Sequence, residues 1–141
     1  MSSQEGLPGR DLGAYLCGYP VEVAFGEDDA AAVFDRYHTP DFVLYNDGIP
    51  LDREKLLAHV RPARRRATSV HTELQETLVS GDRVAARYIL TAVMAKGNVI
   101  ATEIYMFGQL AGDGRLQRVD QLTRLVPAPL ADARPPALPP Q

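Results

Sequence analysis

One cysteine, Cys17, stands in the whole chain, so no internal disulfide can form and nothing asks for an oxidising compartment. Cytoplasm is the default expectation. No apolar run approaches the ~18 to 20 residues of a membrane span, and Met1 to Arg10 is polar, without the apolar core of a signal peptide. Neither membrane insertion nor secretion is expected. Charge of one sign is scarce as well: the formal net charge of -3 leaves no electrostatic footprint for nucleic acid. No group of His, Cys, Asp or Glu has metal-ligand spacing, no glycine-rich loop is built to cradle a phosphate, and no Gly-x-Ser-x-Gly elbow occurs. No metal and no cofactor is therefore expected, and serine-hydrolase chemistry has no support.

What is present is the balance of a globular protein, with 45% hydrophobic and 23% charged residues. The Ser-, Gly- and Pro-bearing start, residues 1–10, is expected to be disordered. So is the end, residues 127–141, where six of fifteen residues are proline. Between them, residues 11–126 suffice for a single domain and not for a second core. There is no internal repeat.

Helical signals come early. Leu12 to Tyr19 reads as a weak helix, since Gly13 and Gly18 each cost about 1 kcal/mol against alanine and Pro20 complicates it further. Glu27, Asp28 and Asp29 place acids at a helix N-terminus, and Ala30, Val33, Phe34 and Tyr37 follow with helical spacing until Thr39-Pro40 stops the run. A short strand, Asp41 to Asn46, then ends in the turn Asn46-Asp47-Gly48-Ile49-Pro50. Asp52 can cap a helix carrying Leu56, Leu57 and Val60, with Pro62 kinking or ending it. Arg61, Arg64, Arg65 and Arg66 follow as a solvated helix end or, less expectedly, an anion site.

Strand signals dominate the remainder, over Ser69–Val79, Arg83–Met94, Val99–Leu110 and Arg115–Val126. Glycine-bearing turns of hairpin composition separate them. Strands this long in a small sheet must twist and bend, and a bulge changes which side chains face inward. The expected fold class is α+β: a curved, cone-shaped, mixed or antiparallel sheet covered by the N-terminal helices, with a pocket inside.

Three strings sharpen this: Tyr37-His38-Thr39-Pro40-Asp41-Phe42-Val43-Leu44-Tyr45, Gly81-Asp82-Arg83-Val84-Ala85-Ala86-Arg87-Tyr88 and Asp113-Gly114-Arg115-Leu116-Gln117-Arg118-Val119-Asp120. In order and spacing they resemble the nuclear transport factor 2-like superfamily, and within it the SnoaL-like polyketide cyclase branch. The resemblance implies a cone with a deep pocket, a homodimer through the outer sheet face, and functions that range from isomerases and epoxide hydrolases to proteins that only bind. Fold alone does not choose among them.

Placed on that resemblance, Tyr45 stands where the isomerase branch has a carboxylate base, and as a phenol it would be a donor or general acid. Asp47 could set a carboxylate at the pocket mouth, or serve only the turn. Arg87 offers fixed donors to a developing negative charge if it faces inward, and pairs with an acid if it faces outward; Tyr88 takes its place if a bulge inverts the strand. Gln121 shares a face with Val119 and Thr123 and could hold a water or hydroxyl. Asp120, on the other face, is the nearest ionisable candidate or an ion-pair partner of Arg118 or Arg124. Tyr19 resembles in placement an oxyanion-stabilising tyrosine, with core packing as the alternative. Met106 replaces the acid that the isomerase branch uses as a donor. His71 could act as acid or base, or sit at the surface; His38, at a helix C-terminus, suits the helix dipole; His59 is expected to be solvated.

Tyr45, Arg87, Gln121 and Asp120 are therefore the expected catalytic set, with Tyr19, His71, Tyr88, Met106, Val119 and Thr123 expected to bind substrate. The expected activity is a cofactor-independent cyclase or isomerase on a hydrophobic, oxygenated molecule of the polyketide or terpenoid kind, with epoxide-opening ring closure fitting better than enolisation. A small-ligand carrier or dimerising accessory protein is the alternative.

Overall fold

The computed structural model describes residues 6–127. The expectations for residues 1–5 and for the proline-rich segment 128–141 lie outside the described residues. Three helices, α1 (Leu12–Phe25), α2 (Ala30–Tyr37) and α3 (Arg53–Arg66), each begin on an aspartate whose carboxylate accepts a backbone N–H: Asp11 from Ala14, Asp29 from Ala31 and Asp52 from Lys55. The strands are β1 (His38–Asn46), β2 (Ile49–Asp52), β3 (Ala67–Ser80), β4 (Arg83–Met94), β5 (Val99–Leu110) and β6 (Leu116–Val126).

They form one curved six-stranded sheet in the order β2-β1-β6-β5-β4-β3. All neighbours run antiparallel except β1 and β6, which are parallel. That one parallel pair brings the N-terminal elements back beside the last strand, which lets the helices cover one face. Bulges interrupt β3 between Leu74 and Glu76 and the β1–β6 ladder between His38 and Val43. Each adds local bend, as long strands in a cone require.

Three expectations are corrected. The start of the chain is packed over residues 6–10: Leu7 and Pro8 are buried, and the Gly9 N–H donates to the Gly114 carbonyl at 2.9 Å. A Cβ on Gly9 would lie 2.9 Å from the Gly114 Cα, so the two glycines allow a backbone approach that no other residue fits. Second, α1 runs unbroken through Gly13, Gly18 and Pro20 because Leu12, Tyr15, Leu16 and Val23 bury one stripe against the sheet. Tertiary burial outweighs weak propensity here. Third, Ile49 and Pro50 are not turn residues but open β2, where Pro50 faces Tyr45 on an edge strand that tolerates a missing N–H.

Candidate functional site

Between the helices and the inner sheet face lies a cavity of about 350 Å³. Tyr15, Leu16, Tyr19 and Val23 of α1 and Leu56 and Val60 of α3 form its roof; Phe42, Leu44, Tyr88, Leu90, Ile104, Met106, Val119 and Gln121 form its floor. Strand alternation explains the floor: Tyr88 pairs with Ile104, and Met106 with Gln121, so these side chains rise on one face. Among the described residues, no Asp, Glu, Lys or Arg lines this cavity.

Its polar feature is a pair. His38 is 3% exposed and packed among the rings of Phe34, Phe42 and Tyr19. Burial pushes its pKa down to about 4, against the smaller opposing effect of its bond to the Phe34 carbonyl. The ring is therefore neutral at pH 7. Phe34 O can only accept, so Nδ1 carries the proton and donates to it at 2.9 Å. Nε2 is then the acceptor, and the Tyr15 hydroxyl, 2.7 Å away, donates to it. Burial raises the phenol pKa of Tyr15, Tyr19 and Tyr88 alike, which keeps all three protonated. Outside the cavity wall, Tyr37 donates to Glu22 at 2.6 Å and Arg36 pairs with the same carboxylate. That carboxylate is thus committed to holding α1 against α2.

Gln121 lines the cavity, its amide donating to Asn46 Oδ1 at 3.0 Å. Tyr19, Tyr88, Met106 and Val119 line it too. The other expected residues do not line this cavity; three of them, Tyr45, Arg87 and Asp120, border a concavity on the outer side of the sheet that Met106 and Gln121 also reach. Tyr45, Arg87 and Asp120 stand on the opposite face of the sheet, because the register pairs Tyr45 with Asp120 and Arg87 with Tyr105, all one residue out of phase with the floor. The Arg118 guanidinium lies 4.3 Å over the Tyr45 ring and donates to Asp120 at 3.1 Å. Arg87 meets Glu76 at 3.5 Å. The expectation that these three converge inside the pocket is corrected: the bulge in β3 does not shift β4, so Tyr88 and not Arg87 points in. His71 is exposed on β3, and Thr123 is tied to Asp47, its hydroxyl donating at 2.6 Å and its N–H at 2.8 Å; neither lines the cavity. Asp47 itself serves the turn, at φ 52.

The reading of His38 as a dipole-facing cation is also corrected, since it is buried and neutral. Sequence spacing does carry a signal for Tyr15: Tyr15 and Tyr19 are four apart on the stripe that includes Leu12, Leu16 and Val23. The arginine cluster is not simply solvated either. Arg64 reaches back to the Val23 and Asp28 carbonyls at 2.6 and 3.0 Å, tying α3 to the end of α1. The Arg65 side chain lies outside the described ones.

A cone of this topology with its cavity under the first helix is the nuclear transport factor 2-like α+β fold. The chain belongs to the SnoaL-like domain family, whose model matches residues 21–119. Similar solved structures include IdmH of Streptomyces antibioticus, a proposed polyketide cyclase, with a TM-score of 0.60 at 15% identity over 87% of this chain and 92% of that one. A proposed polyketide cyclase of Acidithiobacillus ferrooxidans gives 0.57 at 22% identity, over 74% and 82% of the two chains. A protein of ketosteroid isomerase-like fold from Catenulispora acidiphila, in complex with trimethylamine, gives 0.54 at 11% over 73% and 79%. At these identities the likeness is one of fold. No curated protein matches the sequence. Among the described residues, no helix is long and apolar enough to cross a membrane.

Proposed function

We propose that this protein is a cofactor-independent cyclase or isomerase acting on a neutral, hydrophobic, oxygenated small molecule of the polyketide or terpenoid kind. The observation that carries the reading is the Tyr15–His38 pair inside a cavity whose described lining has no charged side chain. An ionised ligand would lose its hydration there without a partner, at a cost of several kcal/mol. An apolar one gains from burial, and a cavity of about 350 Å³ falls near the lower end of the ~300 to 1,000 Å³ range of ligand pockets.

The pair supplies a proton path. A proton leaving one atom of the ligand passes to Tyr15 Oη as the Tyr15 proton moves to His38 Nε2, and the reverse passage returns a proton to another atom. Bond order or ring connectivity changes while protons balance. His38 is a weak base at a pKa of about 4, so most of the acceleration comes from holding one reactive conformer. Tyr19 and Gln121 supply hydrogen bonds to oxygens at the cavity wall, which favours opening of an epoxide or attack on a carbonyl over enolisation by a strong base.

The weakness of that base also favours a second reading, a carrier that binds without turnover. Incubation with linear polyketides and epoxy-terpenoids, followed by product analysis, separates them. A rate that falls about 100-fold or more in Tyr15→Phe supports catalysis through the pair. An unchanged rate in that variant removes the pair from the mechanism, and saturable binding without product favours the carrier. On the outer sheet face, a second copy of the chain covers the exposed Leu78, Tyr105, Phe107 and Leu122.

A further inference from the structure

Tyr88 rises from β4 into the cavity and is 8% exposed. Among the described residues its hydroxyl has no hydrogen-bond partner, and burial is the sole cause that raises its pKa. Buried tyrosine hydroxyls ordinarily find a partner, since an unpaired one costs about 1 to 3 kcal/mol. Tyr88 lines the same cavity as Tyr15, and its phenol is near enough to add to the effect of burial in disfavouring ionisation of Tyr15. The two phenols are not equivalent. Tyr15 has committed its proton to His38 and shows the cavity only lone pairs, whereas Tyr88 can still donate.

We propose that Tyr15 and Tyr88 form a two-point clamp for one hydroxyl group of the ligand, an alcohol, phenol or enol, which donates to Tyr15 Oη and accepts from Tyr88. This rests on the reading of the cavity as a ligand site and narrows it. A ketone or ether oxygen satisfies Tyr88 and meets Tyr15 lone pair against lone pair. A carboxylate finds no cation, and an ammonium no anion, among the described lining residues. The ligand class is thus an uncharged hydroxyl-bearing hydrocarbon skeleton, with its hydroxyl at the Tyr15–Tyr88 end of the cavity.

Three probes of nearly one shape test the clamp by calorimetry on the full chain: 2-naphthol, 2-methoxynaphthalene and naphthalene. The first satisfies both tyrosines, the second only Tyr88, the third neither. Tyr88→Phe is expected to weaken 2-naphthol and 2-methoxynaphthalene about three- to tenfold and leave naphthalene unchanged. Tyr15→Phe is expected to weaken 2-naphthol alone. Comparing each probe with itself across variants cancels the difference in probe hydrophobicity. If both substitutions change all three probes alike, or change none, the clamp is wrong while the cavity survives as an apolar ligand site. If the wild-type chain binds no probe, the cavity reading falls and the clamp with it.

Discussion

The hydroxyl of Thr72 donates a 2.9 Å hydrogen bond to the carbonyl of Leu16, which Pro20, four residues on, leaves without its helical donor. Thr72 is 7% exposed, so without this bond a buried carbonyl would have no partner there. A β-strand side chain thus repairs a helix defect and pins α1 across the cavity. Thr72→Val, nearly isosteric, is expected to lower stability to urea by about 1 to 2 kcal/mol. In a Pro20→Ala background the carbonyl regains a helical N–H, so the same substitution should cost less than half as much. Equal costs in both backgrounds would show that the two sites do not share that carbonyl.

Protonation of His38 should destabilise the fold. Its pKa lies near 6.5 in the unfolded chain and at about 4 when folded, so between those values the unfolded state binds the extra proton. Stability from this group is complete above pH 6.5 and is lost as pH falls toward 4, by on the order of 3 kcal/mol. Denaturation midpoints measured from pH 7 down to 4 should decline, and the His38 ring resonances should not titrate above pH 5. A ring that titrates near 6.5 in the folded protein would refute the buried neutral pair. Tyr15→Phe, which leaves Nε2 without its donor, should by itself cost about 1 to 2 kcal/mol at pH 7.

The order of elements apart from β2, the Asp52 cap and the spans of β4 and β5 were legible because turn glycines and capping aspartates act locally. Alternation along β4 and β6 was legible too, since a period of two sets Arg87 and Tyr88, and likewise Asp120 and Gln121, on opposite faces. Which set faces in was not, because that depends on which side of the sheet the helices cover, set by the single parallel pairing of β1 with β6, a long-range contact. Tyr15 and His38 were missed as a site for a related reason. They are 23 residues apart in sequence, and only the fold of α2 back against α1 joins them.

Gly9→Ala should destabilise the fold although it lies in a Gly- and Pro-rich leader. The new methyl would meet the Gly114 Cα at 2.9 Å and the Gly114 carbonyl oxygen at 3.1 Å, both backbone atoms that cannot rotate away. Relief means parting the strap from the β5–β6 turn, which breaks the Gly9–Gly114 hydrogen bond and uncovers Leu7. A loss of about 1 to 3 kcal/mol is expected, read as a fall in thermal midpoint. A neutral result would mean that residues 6–10 are loose in solution.

The outer sheet face should hold two copies together. Phe107, Leu122 and Leu78 are 59%, 66% and 61% exposed around a concavity of about 580 Å³, an apolar patch of the kind that marks an interface. Its charges come in both signs, Arg87 with Glu76 and Arg118 with Asp120, so a face turned by a two-fold axis can meet itself without net repulsion. Phe107→Asp would set a carboxylate in the middle of that contact, where burying it unpaired is costly. Sedimentation at micromolar protein should show the wild-type chain as a dimer and the variant as a monomer, with association weakened about 30-fold or more. Phe107→Leu, which keeps the patch apolar, should remain dimeric. A wild-type chain that sediments as a monomer throughout would leave the face free for another partner and end the two-fold model.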